Sequence, residues 1–254
     1  GRYGITTLRQ GPLEVDLAQA YHGQVTSMRW RGHETLHSKF PGFGVLGFEK
    51  PFYGGITPKY DTRHRGKHAC FKGSARKVEV KDSMGLTWQG IAIRNTYKLH
   101  KEFKGLNFKL QYLVGKGLPV FKSVLEMENC SGHYERGTLM AILAPLMPDE
   151  GEGQVTLDYS VKGNSRSYRR RTVGAGIHLD NWFSFINGCK RPDLHVVIPG
   201  DDRFESEVID TGEGDLYAYI SNSSPVEPGK VMRIEFIIGF DEVGAGLKHL
   251  IDHA

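Results

Sequence analysis

The strongest constraint on the fold is a set of short segments in which apolar and polar residues alternate. In residues 91–99, Ile91, Ile93, Tyr97 and Leu99 fall on one side of an extended chain, and polar residues fall on the other. Successive side chains of a strand point to opposite faces, so this two-residue period predicts a half-buried β-strand. Thirty-two glycines are scattered among such segments, and helical periodicity is almost absent. The sequence therefore predicts an all-β protein.

A β-hairpin is predicted in the middle of the chain. Residues 107–114 alternate, residues 115–119 (GKGLP) form a turn, and residues 120–129 return as an antiparallel partner. Residues 15–36 predict two further strands that are separated at His22-Gly23. In residues 230–240, one face is predicted to be buried through Met232, Ile234, Phe236, Ile238 and Phe240. Leu247, Leu250 and Ile251 have helical spacing, which predicts a short C-terminal helix.

Composition limits the class of protein. With 254 residues, 39% hydrophobic and 24% charged, the chain has the composition of a globular protein, and no linker or repeat divides it. We therefore expect a single domain over residues 1–254. The sequence starts at Gly1 and not at Met. We therefore expect that the chain is processed, or that it is cut from a longer protein with a partner domain upstream of residue 1. No apolar run approaches the roughly 20 residues of a membrane span, so no membrane partner is expected.

The cysteines favour a reducing compartment. Cys70, Cys130 and Cys189 are isolated in sequence and odd in number, which argues against a disulfide framework. We therefore expect a cytoplasmic location rather than secretion.

Residues 48–77 are the first stretch that predicts a binding site. Residues 50–77 contain eight Lys or Arg and one acidic residue, whereas the whole chain carries a net charge of +4. Gly54-Gly55 permits close approach of a ligand to the main chain, and aromatic residues, Tyr53 among them, are interleaved with the cations. The alternative is a solvated loop whose charges only maintain solubility. The number of aromatic rings favours the rim of a binding site.

Residues 176–187 are the second such stretch. Taken as one strand, they place His178, Asp180, Trp182 and Ser184 on one face. Arg94 is a further polar residue on a predicted strand. A sugar is bound by aromatic faces that cover its C–H surface and by polar groups that pair with its hydroxyls. The candidates for the first role are Tyr53, Trp88 and Trp182, and those for the second are His178, Asp180, Asn181 and Arg94.

Three segments resemble the galactose-mutarotase-like β-supersandwich family. They are residues 15–36 (VDLAQAYHGQVTSMRWRGHETL), residues 117–132 (GLPVFKSVLEMENCSG) and residues 225–229 (PVEPG). The resemblance extends over residues 15–240 and implies a large antiparallel β-sandwich that binds or modifies a carbohydrate. In that family a carboxylate and a His open the pyranose ring as base and acid. The resemblance thus implies His178 as acid, with Asp180 or Glu205 as base; the alternative for His178 is a structural imidazole that pairs with the backbone.

Other features of the sequence bear on the ligand. Residues 54–58 (GGITP) resemble a segment of hexose-6-phosphate epimerases in which nearby arginines hold phosphate, which implies a phosphate-binding role for Arg63 and Arg65. His64 and His68 are placed with them as substrate-binding residues, and no metal is expected because Arg65, Gly66 and Lys67 disfavour both a helix and a cation.

The sequence also bears on kinds of function other than carbohydrate modification. The full signatures of active aldose 1-epimerases are missing, which leaves open a non-catalytic sugar-binding or packing module of a larger transferase or lyase. The sequence contains no P-loop, and no GxGxxG motif follows a predicted strand. No cofactor is therefore expected. Nucleic acid is not expected as a partner, since the aromatic residues of the basic loop are not arranged as a stacking platform.

Overall fold

The structure is a computed structural model that describes residues 4–21, 23–40, 54–62, 68–69, 71, 73–96, 103–146, 155–169, 175–187, 192–200, 204–210 and 216–240. The regular elements among these residues are all strands, and the all-β prediction is confirmed. The predicted C-terminal helix lies in residues 241–254, outside the described residues.

Nineteen strands in the described part of the chain form two antiparallel sheets. The ten-stranded sheet contains β1 (Ile5–Gln10), β2 (Leu13–Ala18), β3 (Gln24–Trp30), β4 (His33–Glu34), β5 (Ile56–Thr62), β6 (His68–Ala69), β11 (Gly137–Leu143), β14 (Ala175–Leu179), β17 (Glu205–Asp210) and β18 (Leu216–Asn222). The nine-stranded sheet contains β7 (Ser74–Lys81), β8 (Thr87–Thr96), β9 (Leu106–Gly115), β10 (Leu118–Asn129), β12 (Val155–Val161), β13 (Asn164–Arg169), β15 (Trp182–Asn187), β16 (Leu194–Val197) and β19 (Val231–Phe240).

The strand order shows how distant parts of the chain are brought together. The ten-stranded sheet has the order β1-β2-β3-β5-β11-β18-β17-β14, with β4 paired to β3 and β6 to β5. The nine-stranded sheet has the order β13-β12-β15-β16-β19-β10-β9-β8-β7. The last described strand, β19, thus lies in the interior of its sheet between β16 and β10.

The two sheets pack face to face over a continuous apolar core. Trp30 of β3 stacks on Phe240 of β19 with ring centroids 5.1 Å apart, and Tyr60 of β5 lies 5.3 Å from Phe108 of β9. The buried Tyr112 hydroxyl of β9 donates a hydrogen bond of 2.6 Å to a carbonyl between β2 and β3, that of Gly23. The longer strands give alternate residues to this core, and the side chains on the opposite side of each sheet lie on what we call its outer face.

The predicted hairpin and the predicted buried face are confirmed. Strands β9 and β10 pair in an antiparallel register that joins Phe121 to Val114 and Asn129 to Leu106. Strands β2 and β3 form the two predicted strands within residues 15–36. The five apolar residues predicted to be buried in β19 are all buried.

Replacement of Tyr112 by Phe tests the hydrogen bond between the sheets. The change keeps the ring but leaves the buried Gly23 carbonyl without this donor, so we expect the free energy of unfolding to fall by about 1–2 kcal/mol. Urea denaturation measures the change. Tyr134→Phe is the matched control, because the exposed Tyr134 hydroxyl donates to Glu227 at the surface and its loss is expected to change stability by less than about 0.5 kcal/mol. Equal losses in the two variants would contradict the prediction.

Candidate functional site

The outer face of the nine-stranded sheet carries charged side chains on strands whose other face is deep in the core. On β10, Phe121 and Leu125 are buried between the sheets, whereas Lys122, Val124 and Glu126 alternate with them on the outer face. The register pairs Val124 with Glu235 of β19 and with Gln111 of β9. The two-residue period thus brings charges from separate parts of the sequence to one surface.

A cavity of about 650 Å³ opens on this outer face. Its size is within the roughly 300–1,000 Å³ of small-molecule sites. Strands β8, β9, β10 and β19 form its floor, the turn between β7 and β8 forms one wall, and residues that follow β16 form another. Its lining includes the side chains of Asp82, Trp88, Lys122, Phe204, Arg233 and Glu235.

An ion pair between two strands lies at the floor of the cavity. The Lys122 Nζ is 2.7 Å from Glu235 Oε1, and both side chains are largely buried. The same ammonium lies 4.4 Å from the centroid of the Trp88 ring, at cation–π distance. Arg233 contacts the other carboxylate oxygen of Glu235. A buried ion pair gives little net stability because both charges lose hydration, so its position at the base of an open cavity favours a role in binding.

The carboxyl group of Glu235 is held in its charged form. Burial by itself raises the pKa of Glu235, but hydrogen bonds and charges from Lys122 and Arg233 outweigh burial and lower that pKa below its ordinary value of 4.5. The floor therefore presents a fixed carboxylate between two cations. Such a group accepts hydrogen bonds from hydroxyl groups of a ligand.

Charged side chains continue from the cavity across the sheet. Arg233 Nη1 lies 2.9 Å from Glu126 Oε1, and Lys109 Nζ lies 2.7 Å from Glu126 Oε2. The predicted site residue Arg94 pairs in register with Lys109 and is exposed at the end of this row. Arg94 is therefore on the same face as the cavity but three strands from Arg233, or about 14 Å at the usual spacing of strands.

Trp182 lies on the same outer face, on the other side of the cavity. Phe183 and Phe185 of β15 are buried in the core, so Trp182 and Ser184 face outward. Trp182 pairs in register with Val197, which pairs with Ile237 in the cavity lining. Ser184 and His195 Nδ1 form a hydrogen bond of 2.8 Å on this face. The structure thus places Arg94 and Trp182 on opposite sides of one cavity.

The prediction of one strand over residues 176–187 is wrong. These residues form β14 in the ten-stranded sheet and β15 in the nine-stranded sheet, and the chain crosses between the sheets at residues 180–181. Ile177 and Leu179 are buried, so His178 is on the outer face of the ten-stranded sheet. His178 and Trp182 therefore do not share a face. The alternation within each half is correct. His178 and Trp182 both face outward, but from opposite sheets.

The three predicted catalytic residues have different surroundings: His178 and Glu205 lie on adjacent strands of the ten-stranded sheet, whereas Asp180 lies where the chain crosses to the other sheet. His178 pairs in register with Glu207 of β17, and Glu205 is two residues along β17 on the same outer face. His178 and Glu205 are exposed. Asp180 instead accepts a hydrogen bond of 2.9 Å from the Gly163 backbone N–H, in the β12–β13 turn where Lys162 and Gly163 have positive φ. Its carboxylate thus stabilises a turn that needs two left-handed residues.

Much of the predicted basic rim lies outside the described residues. Tyr53, Arg63, His64 and Arg65 are in this group, and His68 is described only as a backbone residue of β6. Their predicted roles in binding stay predictions.

Sequence reasoning missed Lys122, Arg233 and Glu235. A signal was present, because Lys122, Glu126, Arg233 and Glu235 occupy alternate positions in two of the most apolar strands. Charges at such positions indicate a polar outer face. The sequence does not show that β10 and β19 are neighbours, and the charged residues form a site only because these strands pair.

The described residues contain neither a metal-binding group of side chains nor a helix that could span a membrane. No group of three or more His, Cys, Asp or Glu side chains has an arrangement that would hold a metal ion. No helix in the same residues has the length and apolar character that crossing a membrane requires.

Comparison with solved structures identifies the arrangement of strands. The Slr1438 protein from Synechocystis sp. PCC 6803 is 12% identical, with a TM-score of 0.65 over 95% of this chain and 96% of that chain. A galactose mutarotase-like protein from Lactobacillus casei is 8% identical, with a TM-score of 0.64 over 94% of this chain and 100% of that chain. The alpha-galactosidase from Lactobacillus brevis is 9% identical, with a TM-score of 0.63 over 94% of this chain but 40% of that chain.

At these identities the likeness shows the fold, and the predicted supersandwich is confirmed. No protein-family model matches the sequence, and no curated protein matches it in sequence.

The lowered pKa of Glu235 predicts how the stability of the protein depends on pH. Because the unfolded carboxyl takes up its proton at a higher pH than the folded one, the charged carboxylate stabilises the fold above about pH 4.5, and this stabilisation is lost as pH falls through the folded pKa. Glu235→Gln removes the effect. We expect the variant to be less stable by about 1–3 kcal/mol near neutral pH and the difference to shrink below about pH 4.5.

Urea unfolding of the two proteins between about pH 3 and pH 7 measures this difference. Glu128→Gln is the control, because Glu128 is exposed at the end of β10. A difference between Glu235→Gln and the wild type that grows as pH falls would contradict the assignment.

Proposed function

We propose that this chain, which has the galactose-mutarotase-like fold, binds a carbohydrate in the cavity on the outer face of its nine-stranded sheet. The observation that carries the proposal is the Lys122–Glu235 ion pair at the cavity floor, with Arg233 beside it. Neighbouring hydroxyls of a sugar are both donors and acceptors, and a carboxylate between cations meets both needs at fixed positions.

The walls of the cavity supply the apolar part of sugar recognition. Phe204 is half-buried in the cavity lining, and its ring is a candidate to cover the C–H face of a sugar. Trp88 cannot take this role, because its ring is 1% exposed and one face is covered by the Lys122 ammonium. We assign Trp88 to the support of Lys122 and keep Trp182, two strands beyond Ile237, for a longer ligand.

The charges of the cavity lining are compatible with a sugar phosphate as the ligand. Lys81, Lys122 and Arg233 line the cavity, against Asp82 and Glu235. Arg63 and Arg65 stay predictions from the sequence and are not assigned to this cavity, because β5 and β6, which flank them in sequence, belong to the ten-stranded sheet. A cytoplasmic location stays part of this proposal because the isolated cysteines favour a reducing compartment.

A second candidate function, at a separate site on the outer face of the ten-stranded sheet, is isomerisation by acid and base, like that of an aldose 1-epimerase. The observation that favours it is the placement of His178 opposite Glu207 and beside Glu205 on adjacent strands. An imidazole and a carboxylate on one exposed surface are the pair that ring opening requires. Asp180 is a weaker candidate for the base, since its carboxylate accepts the Gly163 N–H.

The other alternative is a non-catalytic module of a larger transferase or lyase. In the alpha-galactosidase named above, the matching region is less than half of a longer chain. The same fold thus occurs as part of a larger protein. In that case the cavity binds a sugar without changing it.

Sugar binding is tested by titration of hexoses and hexose 6-phosphates against ¹⁵N-labelled protein, with the Trp88 indole as the reporter. We expect saturable shifts in the wild type and at least about tenfold weaker binding in Lys122→Met, because the variant leaves Glu235 without its ammonium partner. Lys109→Met is the matched control. Lys109 makes an ion pair of the same length on the same face but does not line the cavity. Equal losses in both variants, or no saturable shift with any sugar, would refute the proposal.

Catalysis is tested separately by NMR exchange spectroscopy of α and β anomers. If the second candidate function is correct, the wild type accelerates interconversion, and His178→Ala removes the acceleration while leaving the affinity for the sugar within about twofold. Saturable binding without acceleration would favour the module instead.

A further inference from the structure

The turn between β7 and β8 is tied to the cavity floor by one carboxylate. Asp82 Oδ1 accepts hydrogen bonds from the backbone N–H groups of Met84 at 3.0 Å and Leu86 at 2.9 Å. Its Oδ2 accepts a hydrogen bond of 2.8 Å from Trp88 Nε1. One oxygen therefore fixes the turn, and the other fixes the indole.

The indole in turn supports the charged group that we assign to the ligand. Trp88 is buried, and Lys122 Nζ lies 4.4 Å from its ring centroid while it pairs with Glu235 at 2.7 Å. An ammonium over an aromatic face is attracted by the ring, so the ring position sets where the ammonium rests. Without an acceptor, the buried indole N–H loses its partner and the ring is free to rotate toward another acceptor.

We infer that Asp82 is a positioning residue of the cavity, which holds the Trp88 indole so that the Lys122 ammonium is fixed at the floor. The inference rests on the proposed function only in taking the carbohydrate as the ligand that Lys122 meets. It assigns a role to a residue that is 40 positions before Lys122 in the sequence and does not itself have to touch the sugar.

A purely structural role in the turn is the alternative, and Asp82→Asn separates the two. The side-chain oxygen of Asn can still accept both backbone N–H groups of the turn. Its NH₂ group then faces the indole N–H, and two donors cannot form a hydrogen bond. The opposite orientation pairs the indole but places the NH₂ group against two backbone donors. In the favoured orientation the turn is kept and the indole is released.

The test combines Asp82→Asn with Trp88→Phe in a double-mutant cycle. The first readout is the upfield shift that the indole ring gives to the Lys122 Hε protons. The second is affinity for a hexose or hexose 6-phosphate that saturates the wild type. We expect Asp82→Asn to reduce the ring-current shift and to weaken binding about three- to tenfold in the Trp88 protein. In the Trp88→Phe protein, where the ring has no N–H to hold, the same change is expected to have no further effect on affinity.

The inference is overturned if Asp82→Asn leaves the Lys122 signals unchanged, or if it weakens binding equally in both backgrounds. Urea denaturation shows whether each variant is folded. If Asp82→Asn is unfolded, it is replaced by Asp82→Ser, which keeps an acceptor for the turn but cannot reach the indole. If no sugar binds the wild type, the proposed function fails. The ring-current shift still decides whether Asp82 positions Lys122 through Trp88.

Discussion

The two-residue period of the β-strand is the constraint on which this structure depends. It divides every strand into side chains that pack between the sheets and side chains that face outward. The inner half is satisfied by a continuous apolar core in which rings from the two sheets meet, as Trp30 and Phe240 do. The outer half does not have to be apolar to complete this core. On the nine-stranded sheet, this freedom permits Lys122 and Glu235 to occupy strands that are otherwise among the most apolar in the chain.

Local patterns were sufficient for the fold class, and long-range pairing was not contained in them. The β9–β10 hairpin followed from alternation on both sides of a glycine-rich turn, and the buried face of β19 followed from alternation alone. The prediction of one strand over residues 176–187 was wrong because the two-residue period continues across residues 180–181, where the chain leaves one sheet for the other. Nothing in the alternation marks such a crossing, since the extended backbone is the same on both sides of it.

The candidate site was only partly accessible from the sequence, and for a related reason. Arg94 and Trp182 were selected for their chemistry, and they lie on the face that bears the cavity. The ion pairs at and beside its floor join β10 to β19, and Glu126 and Arg233 are 107 positions apart in sequence. A single sequence does not reveal which strands are neighbours over that separation. The His178 cluster and the Lys122 cluster belong to different sheets.

The position of β19 inside its sheet has a consequence for how the protein is made. During synthesis, β10 and β16 are made before β19, the strand that lies between them in the sheet. Until β19 inserts, the neighbouring edges are open to wrong pairing, and Glu235 is absent from the floor. The site proposed for the carbohydrate is therefore complete only after β19 is in place, and a ligand that binds there would stabilise the finished fold by mass action.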